Sequence, residues 1–141
     1  MRCCAVLFVL AFIGCIYAEQ EIVHLPPEKV AQILPVAMQC VGESSVPPEV
    51  IFQYASGKSL GNDKKYQKFI HCVFTKTGYA DETGHINIDK AMEVFPKGTD
   101  KEAVKKIMEE CSKERGEDPP ETSFKFAKCF RKKAPVRITL Q

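Results

Sequence analysis

Four widely spaced cysteines constrain the fold of this chain more than any other feature: Cys40, Cys72, Cys111 and Cys129. They are separated by 31, 38 and 17 residues, whereas structural zinc sites are built from close pairs such as C-x-x-C. An even number of cysteines in a small secreted domain is typical of disulfides, and four cysteines allow three pairings. A fully paired set leaves no thiol for catalysis. We therefore predict two disulfides, each worth about 3–4 kcal/mol in the chain-entropy account.

The beginning of the chain, which holds the other three of the seven cysteines, predicts a cleaved secretory signal peptide. Arg2 precedes an apolar run at 5–16, and the small residue Ala18 follows it. The run is shorter than the ~20 residues that a membrane-spanning helix needs, and this order of basic, apolar and small residues is typical of a secretory signal. The predicted division is a signal at 1–18 and one secreted, extracellular domain at 19–141.

The charge of the predicted mature domain does not indicate a nucleic-acid partner. Without Arg2 it has 19 basic and 18 acidic residues, a net charge of +1, and it shows no basic stripe of the kind that nucleic-acid-binding proteins carry. The run Arg131-Lys132-Lys133 is interpreted as a solvated helix end, where cations are favourable against the helix dipole. No second apolar segment is long enough to span a membrane.

Apolar residues recur at helical spacing through most of the chain. The stretch Val104–Cys111, for example, has apolar residues at i, i+3, i+4 and i+7, which is the pattern of one buried helix face. Strand signals are weak, apart from an alternation in the tail at 136–140. We predict an all-α fold, a compact array of about six helices. In chain order, the predicted helices run from Pro27 to Gly42 with a kink at Pro35, around Glu49–Ala55, from Asn62 or Asp63 to Gly78, from about Asp89 to Pro96, from Thr99 or Asp100 past Cys111, and over 121–133.

No arrangement of residues indicates an enzyme, a metal site or a cofactor. His24, His71 and His85 are scattered, and none stands at a motif spacing from a Ser, Asp or Cys partner. Surface or hydrogen-bonded roles are the simplest interpretation of these histidines, and pH sensing is the alternative. Counted from Asp81, a calcium-binding EF-hand loop would need Gly at the sixth position and Glu at the twelfth, but these positions hold Ile and Met.

Two segments resemble the insect odorant-binding protein family, which includes the pheromone-binding and general-odorant-binding proteins. They are FIHCVFTKTGYADETGHINIDKAMEVF at 69–95 and EDPPETSFKFAKCF at 117–130. That family has six cysteines, with three residues between the second and third and eight between the fifth and sixth. Lys68 and Pro120 stand where the second and fifth would be, so this chain resembles the minus-C subgroup, which keeps four of the six.

The resemblance implies which cysteines pair. The family joins its first cysteine to its third, its second to its fifth and its fourth to its sixth. Carried over to this chain, the bridges are Cys40–Cys72 and Cys111–Cys129. The two absent cysteines would have been partners of one another, so no thiol is stranded. The seam between Lys68 and Pro120 is expected to be freer for want of the third bridge.

The resemblance also implies a six-helix shell around an apolar cavity that carries small hydrophobic ligands, such as odorants, pheromones, other semiochemicals or lipids. The expected mechanism is solubilisation and not chemistry. An odorant receptor and a second copy of the chain are the protein partners to test. Tyr54 is expected to offer a hydroxyl to the ligand. The residues expected to line the pocket are inward-facing positions on the helices: Leu34, Met38, Val50, Tyr54, Phe69, Val73, Phe74, Ile88, Met92, Val104, Met108, Phe126 and Phe130.

Three alternatives stay open from the sequence. Composition does not distinguish residues that line a cavity from residues of a solid hydrophobic core. The tail Val136–Leu140 either folds over the cavity as a lid or is a frayed end. The shell either transports odorants or serves a non-olfactory secreted interaction or defence protein.

Overall fold

The computed structural model describes residues 20–140, so the predicted signal peptide lies outside the described residues. Within that range the chain forms six helices and two short strands. Their bounds are β1 Glu21–His24, α1 Pro27–Ser44, α2 Val50–Ala55, α3 Lys64–Lys76, α4 Ile88–Met92, α5 Lys101–Cys111, α6 Pro119–Lys133 and β2 Val136–Thr139. The predicted all-α fold of about six helices is confirmed. None of the helices in this range is long and apolar enough to cross a membrane.

Helix α1 continues past Gly42, which the sequence had predicted as its end, and finishes at Ser44. The left-handed residue that closes it is Ser45, with φ 57°, whose N–H donates to the carbonyl oxygen of Val41. A helical glycine costs only about 1 kcal/mol relative to alanine, and the burial of Val41 and Ser44 in this last turn outweighs that cost. The helix continues through Pro35. The kink expected at this residue stays a prediction.

Helix α4 is shorter than predicted and ends at Met92, four residues before Pro96. Beyond it the backbone makes i→i−3 hydrogen bonds, from Val94 N to Ala91 O at 3.2 Å and from Phe95 N to Met92 O at 3.3 Å. Such bonds belong to tight turns that rarely extend for long. The sequence identified this turn-rich stretch but not where its α-helical part ends.

Aspartates begin the last two helices. The Asp100 carboxylate accepts the N–H of Ala103 at 3.2 Å, and the Asp118 carboxylate accepts the N–H of Glu121 at 2.9 Å. Each bond satisfies one of the backbone donors that a helix N-terminus leaves unpaired. Of the two residues considered at the start of α5, Asp100 is the cap. Helix α6 begins at Pro119, two residues before the predicted start.

The two strands pair with each other, which the sequence did not predict. They run parallel, in a register that places Glu21 opposite Val136 and His24 opposite Thr139. The side chains of Val23 and Val136 are buried. Four residues at one end of the described chain therefore hold four residues at the other end, and the alternating tail is a strand because a partner strand exists to pair with it.

The two disulfides have the pairing that the resemblance implies. Cys40 and Cys72 join α1 to α3 across a Cα–Cα distance of 5.8 Å. Cys111 and Cys129 join α5 to α6 across 5.6 Å. Around them lie two groups of buried apolar residues. We call the group that includes Val50, Phe69 and Ile70 the first cluster, and the group that includes Phe95, Val104 and Met108 the second cluster.

Helices α3 and α6 lie side by side and run in the same direction. Three contacts advance together along both helices: the Lys64–Asp118 ion pair, the His71 Nδ1–Ser123 Oγ hydrogen bond of 2.8 Å, and the Phe74–Phe126 ring contact with centroids 6.5 Å apart. Lys68 and Pro120 fall between the first two of these contacts. The positions at which the family carries its third bridge therefore lie in the same stretch of this seam.

Restoring that bridge with Lys68→Cys and Pro120→Cys is expected to raise the melting temperature by about 5–10 °C. The bridge would close a loop of roughly 50 residues, which is worth up to about 4 kcal/mol in the entropy account, although engineered bridges often deliver less. The change is measured by thermal unfolding of the oxidised protein, with bridge formation established by intact mass.

The matched control carries serine at both positions, which removes the same side chains without adding a bridge. A melting temperature that stays equal to or below that of the serine control, in a protein whose mass shows the third bridge, would contradict the placement of these two positions.

Candidate ligand-binding cavity

An apolar cavity of about 600 Å³ lies between the two clusters. Its walls come from all six helices and β2, with further residues from the segments around Tyr79 and Phe95. Cavities that bind small molecules are typically about 300–1,000 Å³ and mainly apolar, with a few polar groups that orient the ligand. The cavity has the size and the lining of such a site.

Phenylalanines of α6 build one wall of the cavity. Phe126 and Phe130 are four residues apart, so they lie on the same helix face, and their rings stack with centroids 6.1 Å apart. Phe95 lies against Phe130 at 6.2 Å, and Phe74 of α3 meets Phe126 edge-on at 6.5 Å. These are favourable aromatic distances. Because the rings support one another, the wall does not depend on a ligand for its shape.

Seven of the predicted pocket residues surround the cavity. They are Tyr54, Phe69, Val73, Phe74, Met108, Phe126 and Phe130. Six others lie elsewhere: Leu34, Met38, Val50, Ile88, Met92 and Val104.

The six lie outside the cavity for two physical reasons. Leu34 and Met38 are 38% and 53% exposed, because the inward face of α1 is set by residues such as Ile33 and Ala37, which do line the cavity. Val50 and Val104 are fully buried within solid clusters, and Ile88 and Met92 pack against the second cluster. Helical periodicity identifies an inward side chain, but it does not reveal whether that side chain meets another side chain or a void.

Several lining residues were missed from the sequence. Leu60 lies in a loop where no periodicity applies, and Phe124 stands off the α6 stripe, yet both line the cavity. Ile51 and Phe95 line it from a short helix and a turn. Only the apolar character of these residues could have suggested them, and that signal is shared by the whole core.

The polar end of the cavity is built by two arginines and a tyrosine. The guanidinium of Arg131 lies 4.4 Å from the ring centroid of Tyr54 and donates to the carbonyl oxygens of Tyr54 at 3.2 Å and Lys58 at 3.0 Å. Arg137 of β2 donates to the carbonyl oxygen of Ser56. A side chain at Gly57, where φ is +85°, would collide with the Arg137 guanidinium. These contacts fix the end of α2 against α6 and β2.

Tyr54 is a neutral hydrogen-bonding group at the cavity wall. Burial raises the pKa of its phenol above the ordinary value of 10.0, and the positive charge of Arg131 lowers the pKa by less. The hydroxyl therefore stays protonated at physiological pH. It has the chemistry to donate a hydrogen bond to a ligand oxygen.

The tail forms part of the cavity wall. Val136, Ile138 and Leu140 all line the cavity. Main-chain bonds from Glu21 N to Pro135 O at 3.0 Å and from Leu25 N to Thr139 O at 3.1 Å extend the strand pairing at both ends. The tail is thus a paired strand and not a frayed end.

Gln20 fixes the point where α6 turns into the tail. Its Nε2 donates to the carbonyl oxygens of Arg131 at 3.0 Å and Ala134 at 2.9 Å. These are carbonyls at the C-terminus of α6, which the helix leaves without internal partners. The segment that follows the predicted signal peptide therefore positions the strand that lines the cavity.

His71 lies in the α3–α6 seam and does not line the cavity. Burial lowers the pKa of its imidazole, and the charges of Asp118 and Asp81 raise the pKa by less. Its Nδ1 is 2.8 Å from the hydroxyl oxygen of the fully buried Ser123. A hydrogen-bonded role in the seam accounts for this residue, and pH sensing by it stays a prediction. Within residues 20–140, no cluster of side chains suited to a metal ion occurs.

Comparison with known proteins identifies the family. A model of the PBP/GOBP family matches residues 23–133. The chain belongs to the PBP/GOBP family. Odorant-binding protein 10 of Aedes aegypti is 22% identical over 104 residues, which cover 73% of this chain and 74% of that protein. The long form salivary protein D7L1 of Aedes albopictus is 30% identical over 80 residues, which cover 55% of this chain. This chain spans about a quarter (24%) of the length of that relative.

A solved structure of an odorant-binding protein has a related fold. Odorant-binding protein 7 of Anopheles gambiae, with four disulfide bridges and in complex with an azo compound, has a TM-score of 0.62 and 27% sequence identity. The match covers 76% of this chain and 86% of that one. This chain has two bridges and that protein has four, yet their folds are similar.

If the tail closes the cavity, ending the chain after Pro135 is expected to accelerate release of a bound apolar fluorophore by about tenfold, the effect of about 1.4 kcal/mol of lost contact. The rate is measured by rapid mixing with excess competitor. Ile138→Ser, which changes a lining side chain of β2, should shift the rate in the same direction.

Ile22→Ser is the matched control, because Ile22 is 58% exposed and does not line the cavity. Release rates that are unchanged in the truncated chain, or equally changed by the two serine variants, would rule out the tail as a lid.

Proposed function

We propose that this protein is a secreted carrier that takes up small hydrophobic ligands in its internal cavity. The observation that carries the proposal is the apolar cavity of about 600 Å³ with its wall of mutually supported phenylalanines. Membership of the PBP/GOBP family supports the same function. The mechanism is solubilisation and transport without chemistry.

Secretion fits the signal predicted at 1–18 and the two disulfides. Disulfides form and persist in oxidising compartments and are rare in the cytosol. The loss of one complete bridge, as in the minus-C subgroup, is part of the same proposal. It leaves all four remaining cysteines paired and so compatible with extracellular conditions.

The seven predicted residues that surround the cavity are the proposed ligand contacts. Burying a chain of twelve methylene groups is worth roughly 10 kcal/mol at about 0.8 kcal/mol each. Association costs at least about 4 kcal/mol, so apolar burial alone falls short of the ~8 kcal/mol that a Kd of 1 µM requires. A polar contact at Tyr54 or at its arginine neighbours is therefore part of the proposal.

A role outside olfaction is the second candidate. One relative is named a salivary protein, so resemblance to this chain is not confined to proteins named for odorants. In that case the same cavity would serve a non-olfactory secreted interaction or defence protein. Transcript location, in antennae or in other tissues, separates the two candidates. Contact with an odorant receptor, or with a second copy of the chain, belongs to the first candidate and is tested by binding experiments.

Because the chain contains no tryptophan, a Phe→Trp substitution reports on its own surroundings. We expect that in the Phe74→Trp variant a saturating amount of dodecan-1-ol shifts the tryptophan emission, since Phe74 lines the cavity. The full chain is expressed in insect cells and the protein is purified from the medium, where its mass establishes the mature N-terminus and both disulfides.

Phe52→Trp is the matched control, because Phe52 is 71% exposed and lies outside the cavity. Its emission should not change with the alcohol. A folded Phe74→Trp protein that gives no saturable response, or a response equal to that of the control, would contradict a ligand inside the cavity.

A further inference from the structure

Charged side chains of one sign surround the polar end of the cavity. No aspartate or glutamate lines it within the part of the chain that the structure describes, whereas four cations do: Lys128, Arg131, Lys132 and Arg137. Three of the four, Lys128, Arg131 and Lys132, come from the last two turns of α6, and the fourth comes from the strand that follows. The net charge of the whole chain is only +2, so this concentration of positive charge is local.

These four cations differ from the ion-paired lysines of the described chain in their partners. Five lysines outside the cavity form ion pairs with carboxylates, and one of the five is Lys133, next to Lys132, which lies 2.6 Å from Glu110. Three of the cavity cations donate to uncharged groups. Arg131 and Arg137 donate to backbone carbonyls, and Lys128 donates to the side chain of Asn62 at 3.0 Å. Between residues 20 and 140, none of the four forms an ion pair with a carboxylate.

Backbone dipoles offset only a part of this charge. The carbonyl oxygens at the end of α2 accept from both arginines, and the C-terminus of α6 lies nearby. A helix C-terminus carries roughly half a negative charge, and α2 is short, so the two ends together cancel about one of the four positive charges. The polar end of the cavity keeps a net positive charge.

We propose that the preferred ligands are long-chain aliphatic carboxylates, with the hydrocarbon chain in the cavity and the carboxylate at Arg131. The inference rests on the proposed carrier function and names its ligand class. Arg131 has five N–H donors, and two backbone carbonyls account for two of them. A guanidinium matches the geometry of a carboxylate, and the neutral Tyr54 beside it is a further hydrogen-bond donor.

This assignment revises one interpretation made from the sequence. The run Arg131-Lys132-Lys133 was interpreted as a solvated helix end. That description fits Lys133, which is exposed and paired with Glu110. Lys132 is exposed as well, although it borders the cavity, whereas Arg131 is half-buried in the cavity wall. The tail strand and the end of α2 fold against this turn of α6.

The test compares three ligands of one chain length: dodecanoate, dodecan-1-ol and methyl dodecanoate. Each competes with an apolar fluorophore for the protein purified from the medium, at about pH 7.5, where a carboxylic acid is ionised. We expect dodecanoate to bind about tenfold more tightly than the alcohol or the ester, because charged hydrogen bonds are stronger than neutral ones. This preference should shrink between about 0.01 M and about 1 M salt, as the Debye length falls from about 30 Å to about 3 Å.

Arg131→Gln removes the charge that the proposal relies on. It should weaken the binding of dodecanoate about tenfold and change the affinity for dodecan-1-ol less than about threefold. Lys133→Gln is the matched control, because it removes a nearby cation of α6 that lies outside the cavity. It should leave the affinities for both ligands unchanged.

Arg131 also holds the end of α2, so a second variant keeps the test valid if Arg131→Gln does not fold. The double change Lys128→Gln and Lys132→Gln removes two exposed cavity cations and should reduce the preference for the acid and its salt dependence.

The outcomes separate this inference from the carrier function. Equal affinities for acid, alcohol and ester, or an equal loss of affinity for all three ligands in the charge variants, would overturn the carboxylate preference. The carrier function would stand in either case. Failure of the fluorophore and of all three ligands to bind the folded protein would overturn both.

Discussion

Two disulfides allow this small chain to keep an interior that is not filled by its own side chains. Each removes freedom from the unfolded chain, worth about 3–4 kcal/mol in the entropy account. One ties α1 to α3 and the other ties α5 to α6, so the helices on both sides of the cavity are held by covalent bonds. The aromatic wall on α6 lies one residue beyond Cys129 at Phe130 and three before it at Phe126. The position of that wall therefore depends directly on the second bridge.

Around this frame the cavity combines three physically different parts. The stacked and edge-on phenylalanines supply apolar surface with a fixed shape. The end of α2, with Tyr54 and the arginines, supplies a polar and positively charged end. The strand β2 lines the cavity and is itself held by β1 and Gln20. A ligand with an apolar chain and one polar head would satisfy all three parts at once.

The helices could be predicted from the sequence because their signals are local. Caps such as Asp100 and the 3.6-residue periodicity of α5 act over a few residues and do not depend on the rest of the chain. The disulfide pairing came from the resemblance alone, since four cysteines leave three pairings open. The β1–β2 pair joins residues more than a hundred positions apart, and two four-residue strands carry no signal strong enough to predict their pairing.

The cavity could be predicted only in part. Phe126, Phe130 and Met108 follow from their inward position on long helices. Val104 occupies an equally inward position on α5 and is fully buried in the second cluster, because a void depends on how several elements meet. The charged end was hidden for a related reason. Arg131 and Arg137 come together with Tyr54 only when α2 and the tail fold onto the end of α6.

A single nuclear Overhauser experiment tests the location of the ligand most directly. The part of the chain beyond the predicted signal has three methionines: Met108 at the cavity wall, Met92 against the second cluster, and Met38 on the surface of α1. Their labelled methyl groups therefore report on three distinct environments in one spectrum. With a bound twelve-carbon ligand, cross-peaks should join the chain protons to the methyl group of Met108 and not to that of Met38. Cross-peaks to Met38 without any to Met108 would place the ligand on the surface and contradict the internal cavity as the binding site.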